Sequence, residues 1–209
     1  MTNPRRRALI PAAVLALGLL ITGCTNTSNG ADAAVVGETH ITNEQLDTEY
    51  NEILAAQGKP ANTADEAIVQ QVLYSLVISD LLEQVAQDAG VTVTQGEIDR
   101  QRAELVTAAG GETALKDAYI KQNVAPGQID QSIRFALLLP KVAAAVAPGA
   151  AEDEANNALR ITVVAKSNAI DPVINPRYGT WSSADLQIVP DAGGLATPLP
   201  TATPTAATQ

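Results

Sequence analysis

A wide apolar stripe in residues 64–89 constrains the fold of this chain more than any other feature of the sequence. Apolar side chains recur there at the spacing of a helix. They are Ile68, Val69, Val72, Leu73, Leu76, Val77, Leu81, Leu82, Val85 and Ala86. A helix with one buried face needs a narrower stripe than this. We therefore predict a central helix that neighbouring elements cover on several sides.

The segment before that helix predicts two short strands followed by a helix. Residues 33–41 place β-branched residues on both sides of Gly37, which is typical of a strand, a turn and a second strand. Thr42 and Gln45 have the spacing of a capping box, in which the two side chains satisfy the free backbone N–H groups at a helix start. Apolar residues then follow at helical spacing, namely Leu46, Tyr50, Ile53 and Leu54.

The rest of the chain predicts more helices and an extended end, which makes the fold mostly α. The helices expected after the central one cover residues 94–109, 113–122, 126–140 and 152–166. Thr94 and Glu97 form a second capping-box match at the start of the first of these. Pro140 should kink or end its helix, because proline lacks the N–H that the helix needs there. Residues 171–189 are rich in proline and β-branched residues and are expected to be extended.

The N-terminus has the layout of a secretory signal. Arginines at positions 5–7 precede an uncharged apolar run over residues 8–21. As a helix that run is about 21 Å long, which is short for a hydrocarbon core of roughly 30 Å. The sole cysteine, Cys24, follows Ile21, Thr22 and Gly23 directly.

The run from Ile21 to Cys24 resembles a bacterial lipobox. The resemblance implies cleavage between Gly23 and Cys24 and attachment of a diacylglyceryl group to the Cys24 thiol. It also implies an extracytoplasmic protein held on the cell membrane by acyl chains, since two chains anchor stably where one is marginal. The alternatives are an ordinary signal with an incidental cysteine, or an uncleaved anchor.

The domain organisation follows from these segments. We predict a lipoprotein signal peptide at 1–23, a flexible polar tether at 24–32, a folded domain at 33–189 and a disordered Pro/Thr/Ala-rich tail at 190–209.

Cleavage before Cys24 removes three arginines and no acid, which changes the net charge from −10 to −13. A chain this acidic is not expected to bind nucleic acid or an anionic lipid surface through its own charge.

The folded part resembles SurA-type N-terminal domains. The matching stretches are AAVVGETHITNEQLDTEY, the central helix with the VTVTQGEIDRQ that follows it, and GGETALKDAYIKQNVAPGQIDQSIRFALLLPKV. INPRYGTW resembles a stretch near the C-terminus of Gram-positive lipoprotein relatives. The resemblance implies a multi-helix module with a small β element formed by the N- and C-terminal segments. It also implies chaperone-like binding of unfolded or translocating polypeptides.

The sequence departs from this family in two places. Only a few Ala, Pro and Gly residues separate Val142 from Glu152, where the family often carries a parvulin peptidyl-prolyl isomerase domain. We therefore expect no isomerase and no other enzyme activity, and no cofactor. Val36 stands where the family usually has Asn before Gly37, which affects only the local turn.

Two functions stay open from the sequence. One is a lipid-anchored chaperone-like module that binds exported polypeptides as they emerge at the membrane. The other is a non-catalytic scaffold lipoprotein that recognises one envelope partner. Packing of the segments after Val142 against the strand at Ala33, with an open apolar groove left beside them, would favour the chaperone.

Tyr178 and Trp181 are the candidate polypeptide-binding residues. They lie in the distinctive run NPRYGTW, residues 175–181, and their rings could line a binding surface. The alternative is a turn in which both aromatic rings pack on the helices while Arg177 pairs with an acid.

Other chemistry-bearing residues favour structural roles. His40 has no second histidine or nearby cysteine with which to hold a metal. The acids Glu97, Asp99 and Glu104 are expected on a solvated helix face. Ser75 and Ser79 lie in an apolar helix without the context of a nucleophile.

Overall fold

A computed structural model describes residues 32–189 of the chain. The predicted signal peptide, most of the tether, the tail and Cys24 lie outside these residues. The elements in chain order are β1 (Asp32–Val36), β2 (Thr39–Thr42), α1 (Asn43–Ala56), α2 (Glu66–Asp88), α3 (Gln95–Ala109), α4 (Glu112–Ile120), a short 3₁₀ helix (Pro126–Gln128), α5 (Ile129–Val146), α6 (Glu152–Ile170), β3 (Val173–Ile174), β4 (Thr180–Ser182) and β5 (Gln187–Val189). The fold is mostly α, as predicted.

Helix α2 is the central helix that its wide apolar stripe predicts. It packs against α1, α5, α6 and β1, and its side chains Leu73, Val77 and Leu81 are fully buried. The buried residues of all these elements form one hydrophobic core around α2. Each fully buried aliphatic side chain contributes roughly 1.5–3 kcal/mol to this association.

A small sheet joins the two ends of the folded region. Its strand order is β2-β1-β3, and both pairings are antiparallel. Ala34 of β1 lies opposite Ile41 on one side and Ile174 on the other. Strands β4 and β5 form a separate hairpin. The predicted β element of N- and C-terminal segments is therefore confirmed.

The predicted helix starts are confirmed in most details. Thr42 caps α1 by accepting a hydrogen bond from the N–H of Gln45, and Thr94 and Glu97 form a complete capping box on α3. The box at α1 is only half made, because the Gln45 side chain donates to Glu49 instead of turning back to the cap. Gly110 ends α3 in the left-handed conformation.

Pro140 does not end its helix, which was one of the two outcomes we expected for it. Helix α5 continues through it to Val146 and packs against α2, α3 and α6. The side chains of Leu138 and Val142 on either side of the proline are buried. Their burial contributes about 3–6 kcal/mol together, which offsets the roughly 3 kcal/mol that an interior proline costs. Tertiary packing therefore overrides the local signal.

The helix after α5 is longer than its pattern predicts. Helix α6 runs from Glu152 to Ile170 and ends at Asp171, which adopts the left-handed conformation. Its buried face includes Leu159, Val163 and Ser167. None of the helices within residues 32–189 is both long and apolar enough to cross a membrane.

Candidate functional site

A groove of about 830 Å³ lies between α1, α2 and α5, with β2 and the start of α3 at its ends. This volume is within the roughly 300–1,000 Å³ of known ligand sites. Many of its wall residues are apolar. They include Ile41, Ile53, Val72, Tyr74, Leu76, Ile78, Ile98, Val124, Ala125 and Phe135. Tyr74 is a large hydrophobic residue of α2 that is exposed to solvent, with an exposed fraction of 38%.

Amide and hydroxyl side chains share the groove with the apolar walls. They are Gln45, Gln95, Asn123, Gln128, Gln131, Thr39, Ser75, Ser79 and Ser132. A side-chain amide both donates and accepts hydrogen bonds, so it can pair with either polar group of a peptide unit. The groove therefore offers apolar contact together with hydrogen bonding that does not depend on the partner's sequence.

Glu49 is a buried carboxylate in the wall of this groove. Its exposed fraction is 7%, and its Oε1 accepts hydrogen bonds from Gln45 Nε2 at 3.3 Å and Gln128 Nε2 at 2.9 Å. No described residue donates to its Oε2, and no described cation pairs with it. Burial raises the pKa of Glu49, and the hydrogen bond from Gln45 only partly opposes that rise.

Asp80 is a second groove carboxylate without a described cation partner. Its Oδ1 accepts from Thr39 Oγ1 at 3.0 Å and its Oδ2 from Gln84 Nε2 at 2.8 Å. Burial raises the pKa of Asp80 despite these two hydrogen bonds. Glu49 and Asp80 therefore both carry a desolvation cost that a cation in the groove would reduce.

The other two groove acids are already paired. Arg134 Nε donates to Glu83 Oε1 at 2.8 Å, and Arg134 also lines the groove. Asp130 pairs with Arg102 of α3, which also contacts Glu112. The charge left over at the groove is therefore negative.

A smaller and more apolar cavity of about 330 Å³ adjoins the groove. The two cavities share Tyr74, Ile78 and Phe135, so they lie side by side on α2 and α5. The remaining walls of the smaller cavity are Leu82, Leu139, Asn156, Leu159, Arg160, Val163 and Leu186. Among the described residues, Arg160 is the only charged one in these walls, and it is a cation.

Tyr178 and Trp181 do not line either cavity. Both are partly buried and pack against the core. Trp181 stacks on Tyr74, with ring centroids 6.4 Å apart, and donates its indole N–H to Ser167 Oγ at 2.8 Å. Trp181 therefore contacts a wall residue of the groove, Tyr74, without lining the groove itself. Direct polypeptide contact by Tyr178 and Trp181 stays a prediction.

The run NPRYGTW ties the end of the folded region to its beginning. Asn175 donates through its backbone N–H to the carbonyl of Ala33 at 2.9 Å and through its side chain to that of Asp32 at 3.0 Å. The Tyr178 hydroxyl donates to Asn43 Oδ1 at 3.0 Å. The alternative for this run had Arg177 paired with an acid, but no acid among residues 32–189 forms an ion pair with it. Its guanidinium donates to Asn43 Oδ1 at 2.7 Å and contacts the Tyr178 hydroxyl and ring.

The remaining candidates occupy structural positions. His40 Nδ1 contacts the carboxylate of buried Asp32 at 2.9 Å. Ser75 donates to the backbone carbonyl of Gln71 on its own helix, although both Ser75 and Ser79 line the groove. Lys141 and the cap residue Thr94 lower the pKa of Glu97 to about 2, so this acid serves the α3–α5 contact. Within residues 32–189 no group of His, Cys, Asp or Glu is arranged to hold a metal ion.

Sequence reasoning missed Glu49, Asp80 and Tyr74. A signal for Glu49 is present, because it falls between Leu46, Tyr50 and Ile53 on the apolar face of α1. A carboxylate there is expected to be buried, and buried acids concentrate at functional sites.

The fold and the groove define a mostly helical module in which the first and last parts of the folded region pair in one small sheet. The family model described as the SurA-like N-terminal domain matches residues 5–142, which is more than half of the chain. The chain therefore belongs to the SurA-like N-terminal domain family, which is a chaperone-like family. No curated protein and no solved structure matches it. Helix α6, strands β3–β5 and NPRYGTW lie beyond the matched residues.

Proposed function

We propose that this protein is a membrane-anchored extracytoplasmic lipoprotein that binds unfolded or exported polypeptides in the groove between α1, α2 and α5. The observation that carries the proposal is the composition of that groove. Apolar walls and amide side chains lie together in about 830 Å³. Membership of a chaperone-like family supports the same conclusion.

The groove chemistry suits a polypeptide that has not folded. Such a chain exposes apolar side chains together with backbone N–H and C=O groups, and these polar groups need partners when they leave water. Ile53 and Phe135 offer apolar contact, while Gln128 and Gln131 offer donors and acceptors. Neither kind of contact depends on the sequence of the client, so many different polypeptides can bind.

The lipid anchor at Cys24 places this activity at the membrane face. The predicted tether is short, since a coil of eight residues spans roughly 16 Å, so the proposal places the module within a few nanometres of the bilayer. Tethering raises the local concentration of the groove near polypeptides that emerge from the membrane. In this proposal the protein binds its clients without catalysing proline isomerisation.

Suppression of client aggregation tests the proposal. The full chain, held in phosphatidylcholine nanodiscs, is mixed with a chemically unfolded client, and light scattering is followed as the denaturant is diluted. We expect suppression at near-stoichiometric ratios and a weaker effect for Tyr74→Ser. Ile161→Ser is the matched control, because Ile161 is 54% exposed and lies outside both cavities. No suppression of several different clients would contradict the proposal.

The scaffold alternative predicts a different result in intact cells. Crosslinking that recovers one stoichiometric envelope partner, rather than many exported polypeptides, would favour the scaffold. A large acceleration of proline isomerisation in a model peptide would contradict the absence of catalysis.

A further inference from the structure

The two acids Glu49 and Asp80 distinguish this groove from a purely apolar one. Both line it and neither has a cation partner among the described residues. Glu49 is 7% exposed and keeps one carboxylate oxygen without a hydrogen bond from any described residue. Because desolvation of a carboxylate without a counter-charge costs free energy, these two acids would stabilise a cation that enters the groove.

The adjoining cavity has the opposite character. Its walls are mainly apolar, and Arg160 is the charged residue among them. A basic side chain is therefore favoured in the groove and disfavoured in the smaller cavity, whereas an apolar side chain suits the smaller cavity. The exposed ring of Tyr74 forms part of both walls, so one polypeptide segment that crosses it reaches both.

We propose that the preferred occupant is a polypeptide segment in which lysine or arginine neighbours apolar residues. Its cation lies in the groove near Glu49 and Asp80, and its apolar side chain enters the cavity beside Leu159 and Val163. This inference rests on the proposed function and adds a substrate class to it. Charge complementarity carries it, since Glu83 and Asp130 are already paired with arginines of this chain.

Peptide binding to matched variants tests the inference. A short fluorescein-labelled peptide of alternating apolar and polar residues is made in three versions, which carry Lys, Gln or Glu at the same two positions. Each is titrated by fluorescence anisotropy against the full chain in phosphatidylcholine nanodiscs. We expect the Lys version to bind about threefold to tenfold more tightly than the Gln version, and the Glu version to bind most weakly.

A matched pair of double variants separates the groove from the net charge of the chain. Glu49→Gln with Asp80→Asn removes the two groove acids, and Gln at position 49 can still accept the hydrogen bonds from Gln45 and Gln128. Glu104→Gln with Asp117→Asn removes the same charge from exposed positions outside both cavities. The preference for Lys should disappear in the first variant and persist in the second. In the single variant Asp80→Asn, the ratio of the affinities for the Lys and Gln peptides should fall to about half of its value in the native chain. This variant provides the readout if the first double variant does not fold.

The outcomes distinguish this inference from the proposed function. Equal binding of all three peptides would overturn the basic preference and leave polypeptide binding intact. A preference for the Lys peptide that persists in the Glu49→Gln, Asp80→Asn variant would also overturn the inference, because the net charge of the chain would then cause the preference. Failure of all three peptides to bind would overturn the proposed function, and the basic preference with it.

Discussion

The ring of Trp181 stacks on the ring of Tyr74, with centroids 6.4 Å apart and an angle of 29° between the planes. Trp181 belongs to β4, near the end of the folded region, whereas Tyr74 belongs to the central helix and lines both cavities. The C-terminal hairpin thus supports one wall of the groove without entering it. A change that unfolds the hairpin would therefore remove the support of Tyr74 and alter the wall of the groove.

The hydrogen bond from Trp181 to Ser167 should contribute measurably to stability. Ser167 is fully buried, and its Oγ accepts from the indole N–H while donating to Ser183 Oγ. Trp181→Phe and Ser167→Ala should each lower the free energy of unfolding by about 1 kcal/mol. Because both changes delete the same bond, the double variant should lose less than the sum. Urea unfolding of all four proteins measures this coupling, and strict additivity would show that the bond contributes nothing.

Gly179 should not tolerate a side chain. Its φ is +119°, and a Cβ there would lie 2.5 Å from the carbonyl oxygen of Val189. Gly179→Ala should lower the free energy of unfolding by about 2–3 kcal/mol through backbone strain and this clash. Gly58→Ala is the control, because Gly58 has a φ of +71° with open space around it. Thermal unfolding should show the larger loss for Gly179→Ala, and equal losses would contradict the clash.

The contact of Glu97 with Lys141 should make stability depend on pH. The folded-state pKa of Glu97 is lowered from 4.5 to about 2, chiefly by the hydrogen bond from Lys141 and then by Thr94. A lowered pKa contributes stability that is present above the unfolded value and is lost as pH falls through the folded value. The stability difference between the native chain and Glu97→Gln should therefore shrink as pH falls from 4.5 to about 2.

Removal of the partner is the control for that pH dependence. In a Lys141→Met background the largest cause of the lowered pKa is absent. The effect of Glu97→Gln should then vary much less over the same pH range. Urea unfolding at a series of pH values measures both differences, and an unchanged pH dependence in that background would exclude Lys141 as the cause.

Cys24 should be needed for membrane attachment and not for folding. The only thiol of the chain lies at the predicted cleavage site, and the described fold begins after it. Cys24→Ala should leave the thermal unfolding midpoint unchanged while abolishing metabolic labelling with palmitate and releasing or mislocalising the protein. Persistent lipid labelling of that variant would contradict the lipobox interpretation.

Local chemistry made the helices and strands predictable from the sequence. Thr42, Thr94 and Gly110 set helix ends through contacts within one turn, so their spacing alone predicts them. The helix continues past Pro140 because its neighbours Leu138 and Val142 are held by other helices, which no local pattern shows.

The groove was not predictable, because distant residues build it. Glu49 accepts a hydrogen bond from Gln128, which is 79 residues later in the chain, and Glu83 accepts one from Arg134, which is 51 residues later. Periodicity shows which face of a helix is buried but does not show which polar residues of two helices meet. The family resemblance predicted the class of fold, and the structure was needed to locate the groove.

Site-directed photocrosslinking tests the central claim most directly. A photoreactive phenylalanine replaces Tyr74 in the full chain, and a second variant carries it at Ile161, which is exposed on α6 outside both cavities. Each is irradiated in phosphatidylcholine nanodiscs with reduced, alkylated lysozyme, a permanently unfolded and basic client. We expect a crosslinked product from position 74, competed by the Lys-bearing peptide, and little product from position 161. Equal crosslinking from both positions, or none from position 74, would contradict polypeptide binding in the groove.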